Sequence, residues 1–272
     1  MQPFFLAGQA GPLFALYWAP NQHKPERALL HVSAFAEEMN RSRRMVALQA
    51  RAMVEQGYAV LVLDLFGTGD SGGDFGEATW ECWLSDVATG IVWLKEQGIA
   101  QVDLWSLRTG NLLAMDYVAR NPGKIEHLLL WQPVMNGDTF VTQFLRLRVA
   151  AAMMNSAAPQ EKTGDLKKQL QQGQMLEVAG YSLNPGLINP LMALKPEAST
   201  LSSLQSVAVF EVIAGKDVQP SFANQQWIDN LIEVGVEASL TTVVGEQFWA
   251  SQEITTAPAL VEVTREKVSQ WY

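Results

Sequence analysis

Continuous apolar runs alternate with stretches of helical periodicity along most of this chain. The apolar runs lie at 28–32, 58–64, 101–106 and 125–132, and the helical patterns between them lie at 40–56, 77–97 and 109–120. Runs without apolar–polar alternation are typical of strands whose two faces are both covered by helices. Strands that alternate with helices are joined by right-handed crossovers, so the pattern predicts an α/β fold with a mostly parallel, doubly wound sheet.

The alternation stops once, between residues 137 and 204. Two strands predicted in the first 20 residues make the run at 125–132 the sixth strand. The later predicted elements are helices at 138–155 and 163–173, a strand at 207–214, a helix at 220–234, a strand at 237–244 and a helix from about 256. We therefore predict a core formed by 1–136 and 205–272, with a helical cap formed by 137–204 inserted after the sixth strand.

The composition argues against a nucleic-acid-binding, membrane-bound or disulfide-bonded protein. The 272 residues carry a net charge of −9, from 28 acidic and 19 basic side chains. This charge opposes binding to nucleic acid or to an anionic membrane surface, and no apolar stretch reaches the ~18 residues that a membrane-spanning helix needs. Cys82 is the single cysteine, which excludes an intramolecular disulfide and is typical of a reducing compartment, so we expect a cytoplasmic protein.

The segment Leu104–Gly110 carries the candidate chemistry. It has the spacing of a nucleophile elbow, in which the nucleophile stands between two small residues on a tight turn from a strand into a helix. Ser106 and Gly110 are the small residues, and Arg108 occupies the position of the nucleophile. An arginine is a permanent cation with five N–H donors and no lone pair with which to attack a substrate. The motif therefore predicts an α/β-hydrolase fold and argues against the usual chemistry of that fold.

The loop after the strand at 28–32 is rich in charge. In α/β-hydrolases this loop contributes a backbone N–H to the oxyanion hole, and ligands bind at the carboxyl ends of the strands. We predict that Glu37 or Glu38 neutralises Arg108, and that the arginines after them pair with these acids or bind an anion. The alternative is a solvated surface of mutually paired charges. The candidate ligand-binding residues of this loop are Ser33, Ala34, Phe35, Glu37, Glu38, Arg41 and Arg44.

A glycine-rich loop follows the strand at 58–64. Its D-x-x-G-x-G-x-S pattern, from Asp64 to Ser71, is common in α/β-hydrolases, where the acid and the serine bond to the loop backbone. The glycine spacing also matches the dinucleotide-binding G-x-G-x-x-G, but no acidic residue ends a strand about twenty residues later. We therefore predict a structural role for this loop, and no cofactor. The acids and histidines of the chain do not have the spacing of metal ligands, so we expect no metal.

The catalytic triad of a hydrolase also contains an acid and a base. This sequence offers a candidate for the acid and none for the base. Asp217 follows the strand at 207–214, where hydrolases place the acid, although it would serve equally as the cap of the next helix. No histidine follows His127, and neither His23 nor His31 is placed to act as the base. Without a general base, a serine hydroxyl is a poor nucleophile at neutral pH.

Three further residues are predicted to line the pocket. Gln247 and Trp249 occupy the loop after the last strand, where the base would lie, and Gln132 follows the carboxyl end of the strand at 125–132. All three are expected near Arg108 because the carboxyl ends of parallel strands meet at one edge of a sheet.

Several segments together resemble one family, the exosortase A system-associated hydrolases of type 2. The resemblance rests most specifically on 35–45, with its two Glu, one Asn and three Arg, and extends to 64–76, 104–108, 131–134 and 247–249. It implies an α/β-hydrolase-fold protein from an exopolysaccharide and protein-sorting locus of Gram-negative bacteria. It also implies that arginine at the elbow, here Arg108, is a feature of the family.

Two functions of different classes fit these residues. The first is a non-catalytic binding or accessory protein with a charged pocket centred on Arg108, because loss of the nucleophile or the base costs several orders of magnitude in rate. The second is a hydrolase of ester, thioester or other acyl bonds that acts by an unusual mechanism with Asp217. We favour the first. The helix N-terminus and Arg108 together favour a small anionic or acyl ligand, unless Glu37 or Glu38 occupies the guanidinium.

Overall fold

An eight-stranded, mostly parallel sheet organises the chain. The computed structural model describes residues 1–21, 24–154, 161–215 and 217–271, so His23 and the predicted helix end at residue 155 lie outside the described residues. The strands are β1 (Gln2–Ala7), β2 (Pro12–Trp18), β3 (Arg27–Val32), β4 (Ala59–Leu63), β5 (Gln101–Leu107), β6 (His127–Trp131), β7 (Leu176–Val178), β8 (Tyr181–Leu183), β9 (Ser206–Ile213) and β10 (Glu237–Val244). The sheet order is β1-β2-β4-β3-β5-β6-β9-β10. β1 and β4 pair antiparallel with β2, and the other neighbours pair parallel. The predicted sheet is confirmed.

Helices cover both faces of this sheet. They are α1 (Glu37–Glu55), α2 (Trp80–Glu96), α3 (Gly110–Arg120), α4 (Gly137–Met154), α5 (Thr163–Gln171), α6 (Pro185–Ala193), α7 (Phe222–Glu233) and α8 (Pro258–Val268). The buried side chains of α1 and α8 pack on one face, and those of α2, α3 and α7 pack on the other. The first of these helices begins at Glu37, three residues before the predicted start, so both acids of the charged loop lie in its first turn.

Strand β5 shows why the apolar runs lack alternation. Leu104 packs in the cluster beneath α2 and α3, whereas Trp105 and Leu107 pack in the cluster beneath α1 and α8. All three side chains are fully buried. A strand covered on both faces buries successive side chains in opposite directions, and each of them is therefore apolar.

Residues 137–204, called the cap segment below, contain α4 and α5, where the helical pattern predicted helices, and α6, which was not predicted. The described buried side chains of these helices join the same hydrophobic cluster as α2 and α3. The segment also contains the hairpin of β7 and β8, which the sequence did not predict because each strand has three residues. Its turn uses Ala179 and Gly180, with φ of 51° and 84°, as a two-residue hairpin turn requires.

The glycine-rich loop after β4 is held by its own hydrogen bonds. Asp64 Oδ2 accepts a hydrogen bond from the N–H of Asp70 at 3.0 Å, and the Ser71 hydroxyl donates to the Asp64 carbonyl at 2.6 Å. Ser71 in turn accepts from the N–H of Phe14 in β2 at 2.8 Å. The two polar residues of the motif therefore tie the loop to the edge of the sheet. None of the helices in the described ranges has the length and apolarity needed to cross a membrane.

We predict that Gly110→Ala destabilises the protein by about 1–3 kcal/mol, because the new side chain meets fixed backbone. A Cβ at Gly110 would lie 2.4 Å from the carbonyl oxygens of both Val32 and Ser33. Urea unfolding followed by circular dichroism measures the change in the free energy of unfolding.

The matched control for this substitution is Gly164→Ala in the first turn of α5. A Cβ there meets no atom within 4 Å, so we expect an unchanged or slightly higher stability, by up to about 1 kcal/mol. Equal effects of the two substitutions would contradict the close approach of α3 to the loop after β3.

Candidate functional site

Arg108 lies at the tip of the turn between β5 and α3, in a strained backbone conformation. Its φ is 56°, in the left-handed region that residues with a side chain rarely occupy. Its N–H donates to the carbonyl of Trp131 at 3.0 Å, and its own carbonyl accepts from the N–H of Asn111 at 3.1 Å. Ala36 and Gln132, in the loops after β3 and β6, are also left-handed, with φ of 53° and 43°. Strained residues of this kind cluster at functional sites, which marks this edge of the sheet.

The Arg108 guanidinium forms an ion pair with Glu38 in the first turn of α1. Nε donates to both carboxylate oxygens, at 3.1 and 3.3 Å, and Nη2 lies 3.1 Å from Oε1. The two side chains are 20% and 22% exposed, so water screens the pair incompletely. Burial raises the pKa of Glu38, and the adjacent guanidinium opposes that rise. The positive charge at the elbow is therefore balanced inside the protein.

Trp249 supports the ion pair from the loop after β10. Its ring centroid lies 5.7 Å from the guanidinium carbon of Arg108, within the range of a cation–π interaction. The indole is 3% exposed and packs edge-on against Phe248. A buried tryptophan thus occupies the loop in which hydrolases of this fold hold the catalytic base.

A cavity of about 640 Å³ opens beside Arg108, between the carboxyl ends of β6 and β9 and helix α4. Six of its lining side chains are amides: Gln132, Asn136, Gln143, Gln219, Asn224 and Gln247. Glu211, a carboxylate in β9, also lines it and accepts hydrogen bonds from the N–H of Ser221 at 2.9 Å and from the Asn224 amide. This cavity, called the amide cavity below, therefore presents both donors and acceptors.

A second cavity, of about 480 Å³, lies on the Glu38 side of the ion pair. Its apolar lining includes Phe35, Phe140, Phe144, Leu147, Tyr181 and Trp249. Phe140 lines the amide cavity as well, and Arg108 and Glu38 each line one of the two. The ion pair and Phe140 therefore stand at the boundary between a polar and an apolar space.

Two further residues of the charged loop connect α1 to other segments. The Tyr181 hydroxyl of the cap segment donates to Glu37 Oε2 at 3.1 Å. Arg41 Nη1 donates to the carbonyl of Ala250 at 2.8 Å, and Arg41 Nε lies 3.9 Å from Glu37. Glu38, rather than Glu37, is therefore the acid that pairs with Arg108, and Glu37 instead fastens the cap segment.

The remaining predicted residues of this loop lie elsewhere. Ser33, Ala34 and Arg44 line a third cavity, of about 310 Å³, between α1 and the sheet. Arg43 also lines this third cavity and pairs with Asp64, with Nη2 2.9 Å from Oδ2. The predicted loop residues are thus divided between the second and the third cavity, and none of them lines the amide cavity.

Of the residues predicted on the other loops, some line the amide cavity and one lines none of the three cavities. Gln132 lines the amide cavity, and its side-chain oxygen accepts from the N–H of Val212 at 2.7 Å, which joins β6 to β9. Gln247 lines the same cavity from an exposed position. Asp217 is exposed and lines none of the three cavities. Its role as a catalytic acid stays a prediction.

The described histidines are far from a catalytic arrangement. Burial lowers the pKa of His31 to about 3, and its ring packs on Trp105 at 4.3 Å between centroids. His127 Nδ1 lies 2.8 Å from the hydroxyl of Ser206. His127 and Ser206 are buried at the amino ends of β6 and β9, whereas Arg108 follows the carboxyl end of β5. In the described ranges, no group of three His, Cys, Asp or Glu side chains is arranged to hold a metal ion.

Ser106 is not available as a substitute nucleophile. It is fully buried, and its hydroxyl donates to the Asn111 side-chain oxygen at 2.5 Å. Asn111 in turn donates to the carbonyl of Trp131 at 3.0 Å. The residue therefore fastens β5, α3 and β6 together beneath the elbow.

Glu211 is the site residue that sequence reasoning missed although a signal was present. It interrupts the apolar run 207–214 with a charge, and it is 3% exposed in the folded protein. A charged residue in a strand covered on both faces indicates a partner or a ligand. Phe140 and Asn136 carried no such signal, since their place depends on how the cap segment returns over the sheet.

The family follows from comparison of the whole sequence. Residues 23–203, which are more than half of the chain, match the family model described as Hydrolase_4, serine aminopeptidase S33. The chain belongs to this family. No curated protein matches the sequence.

Solved structures agree on the fold. Est1E from Butyrivibrio proteoclasticus, solved with ferulic acid, has a TM-score of 0.67 at 15% identity, over 98% of this chain and 97% of that one. XC6422 from Xanthomonas campestris, described as an α/β serine hydrolase without a lid, has a TM-score of 0.60 at 14% identity, over 99% and 94%. The α/β hydrolase domain-containing protein 10 from mouse has a TM-score of 0.61 at 13% identity, over 100% and 98%. The chain therefore has the α/β-hydrolase fold.

A double-mutant cycle on Arg108 and Glu38 should give a coupling energy of about 1–2 kcal/mol, because the pair combines charge-assisted hydrogen bonds with partial burial. The expected loss in Arg108→Ala is larger at neutral pH than at an acidic pH. Burial raises the folded-state pKa of Glu38 above its unfolded value, so stability falls as pH rises between the two values. Removal of the guanidinium raises the folded-state pKa of Glu38 further, and so widens the pH range over which stability falls.

Urea unfolding of the wild type, Arg108→Ala, Glu38→Gln and the double variant at both pH values measures the coupling. Glu37→Gln is the matched control, since Glu37 lies in the same turn and does not contact Arg108. A coupling energy near zero, or an Arg108→Ala effect independent of pH, would contradict the pairing.

Proposed function

We propose that this protein is a ligand-binding member of its family and does not hydrolyse acyl bonds by serine–histidine chemistry. One observation carries the proposal: the position of the nucleophile is occupied by an arginine whose charge is balanced by Glu38. The guanidinium has no lone pair with which to form a covalent intermediate. The protein acts as a binding or accessory component built on a hydrolase fold.

The surroundings of the elbow support the same conclusion. Catalysis by a hydroxyl needs an adjacent base, and Ser106 is bonded to Asn111 while Trp249 lies in the loop of the base. Loss of the nucleophile or the base alone removes several orders of magnitude of rate. This site therefore retains the shape of a hydrolase pocket and lacks the groups that perform the reaction.

The ligand that fits the amide cavity is polar and uncharged. Glu38 already occupies the Arg108 guanidinium, so an anion would have to displace a carboxylate that holds it by three contacts. The six amide side chains offer further donors and acceptors instead, beyond the hydrogen bonds that Gln132, Asn136 and Asn224 already make inside the protein. A ligand with several hydroxyl or amide groups satisfies this lining, and the anionic ligand expected from the sequence is the less favourable case.

The alternative function is hydrolysis of an ester, thioester or other acyl bond by a non-standard mechanism. It is favoured by the family, whose description names a serine aminopeptidase, and by structural neighbours that are described as serine hydrolases. Asp217 would be the acid of such a mechanism. Its exposed position supplies no contact with the elbow.

We expect no turnover of nitrophenyl acetate, butyrate or octanoate above the uncatalysed background, measured by release of nitrophenolate. Asp217→Asn should leave this result unchanged. The matched control is Asp229→Asn, at an exposed aspartate of α7. Turnover that is lost in Asp217→Asn and kept in Asp229→Asn would establish the alternative function and overturn ours.

Removal of the negative charge of Glu38 should turn the surroundings of Arg108 into an anion-binding site. We expect Glu38→Gln to bind inorganic phosphate at least about tenfold more tightly than the wild type, because Arg108 then lies unbalanced at the N-terminus of α3. Isothermal titration calorimetry measures the affinity. The double variant Arg108→Ala with Glu38→Gln should lose the gain, and Glu37→Gln should not show it. A gain that persists without Arg108 would refute the role assigned to the ion pair.

The finer placement of the protein is also a proposal. We place it among the exosortase A system-associated hydrolases of type 2, and in the cytoplasm. Support for the first comes from the acid and arginine pattern of 35–45 together with Arg108 at the elbow. Support for the second comes from the single cysteine, Cys82, and the acidic net charge.

A further inference from the structure

The second cavity, on the side of the ion pair away from the amide cavity, is enclosed mainly by aromatic side chains. Its volume is about 480 Å³, and the rings of Phe35, Phe140, Phe144, Tyr181 and Trp249 belong to its lining. An engineered apolar cavity of about 150 Å³ is large enough to bind benzene. The second cavity therefore has room for a hydrocarbon group of considerable length.

The charged side chains in the lining of the second cavity already have partners. Glu38 pairs with Arg108, and Glu37 accepts a hydrogen bond from the Tyr181 hydroxyl. Arg41 donates to a backbone carbonyl in the loop after β10. A charged ligand group would lose its hydration in this space without gaining a free counter-charge, which is costly. The group that fits here is therefore uncharged and apolar.

Helix α4 lines the two cavities from two neighbouring faces. Phe140, Phe144 and Leu147 follow one another at four and three residues, so they form one stripe of the helix, and all three line the second cavity. Thr139 and Gln143 are four residues apart on the adjacent stripe and line the amide cavity. One helix thus presents hydrocarbon to one space and hydrogen-bonding groups to the other.

The two cavities meet at the ion pair. Arg108 lines the amide cavity and Glu38 lines the second cavity, and their side chains are 20% and 22% exposed. Phe140 lines both spaces. A single molecule that crosses the exposed side of the ion pair can therefore contact both cavities and leave the pair intact.

We propose that the second cavity binds the alkyl tail of an uncharged amphiphile, whose head carries several hydroxyl or amide groups and lies in the amide cavity. This inference rests on the proposed function for the position of the head, and it adds the tail and its site. Burial of the tail against the aromatic lining removes apolar surface from water, and the gain in free energy is proportional to the area removed. Affinity for such a ligand therefore grows with the length of its tail.

The test uses butyl and hexyl β-D-glucopyranoside, which share one polyhydroxyl head and differ by two methylene groups. Isothermal titration calorimetry below the micellar concentration measures both affinities. We expect hexyl glucoside to bind about tenfold more tightly than butyl glucoside, because each buried methylene contributes a factor of about three to four.

Leu147→Asp tests the position of the tail. Leu147 lines the second cavity and is 51% exposed, so a carboxylate is tolerated there by the fold but opposes an alkyl chain. The matched control is Met153→Asp, at a 77% exposed residue of α4 that lies outside the linings of both cavities. We expect Leu147→Asp to abolish the difference between the two glucosides and Met153→Asp to retain it, with circular dichroism to verify folding.

Gln143→Ala tests the position of the head. Gln143 is exposed and lines the amide cavity, so its truncation should weaken the binding of both glucosides by the same factor and preserve their ratio. The control is Arg146→Ala, at an exposed position of α4 that lines neither cavity, and it should change neither affinity.

Two results would overturn the inference: equal affinities of the two glucosides for the wild type, or the same ratio of affinities in folded Leu147→Asp as in Met153→Asp. If Leu147→Asp does not fold, the comparison of the two glucosides on the wild-type chain still decides the outcome. A tenfold ratio that Leu147→Asp abolishes, combined with no effect of Gln143→Ala, would support the tail site and contradict the placement of the polar group in the amide cavity. The tail site and the proposed function therefore fail separately.

Discussion

The ion pair between Arg108 and Glu38 is the contact on which the arrangement of the site depends. It joins the turn after β5 to the first turn of α1, and it separates the amide cavity from the apolar cavity beneath α4. The backbone at Arg108 is left-handed, which costs about 1–3 kcal/mol for a residue with a side chain. Charge-assisted hydrogen bonds in a partly buried setting offset a cost of that size. An arginine can therefore be held at a position that usually carries a nucleophile.

The order of strands and helices followed from the sequence because it depends on local patterns. Apolar runs and helical periods located every strand of the large sheet, and the spacing of Ser106 and Gly110 located the elbow. Gly110 shows the physical basis, since a Cβ there would overlap two backbone carbonyls. These constraints act over a few residues, and a sequence displays them directly.

The details of the site were less accessible because they depend on the rotation of α1 and the path of the cap segment. Successive residues of a helix point about 100° apart, so the phase of the first turn decides whether Glu37 or Glu38 meets Arg108. That phase is set by Ala36, whose φ of 53° no propensity would indicate. Arg44 likewise follows the rotation of α1, away from the elbow. The β7–β8 hairpin and Phe140 depend on contacts between segments distant in sequence, which no local pattern records.

The elbow of this protein holds Arg108 at the position where this fold usually carries a nucleophile. Its structural neighbours share the fold, and one of them is described as an α/β serine hydrolase, but a fold alone does not specify a reaction. The first turn of α1 contacts several parts of the site. Glu38 pairs with Arg108, Glu37 accepts a hydrogen bond from Tyr181 of the cap segment, and Met39 lines the third cavity. The Ser42 hydroxyl binds the Glu38 carbonyl, so the first turn of the helix and the cavity-lining turn after it are tied together.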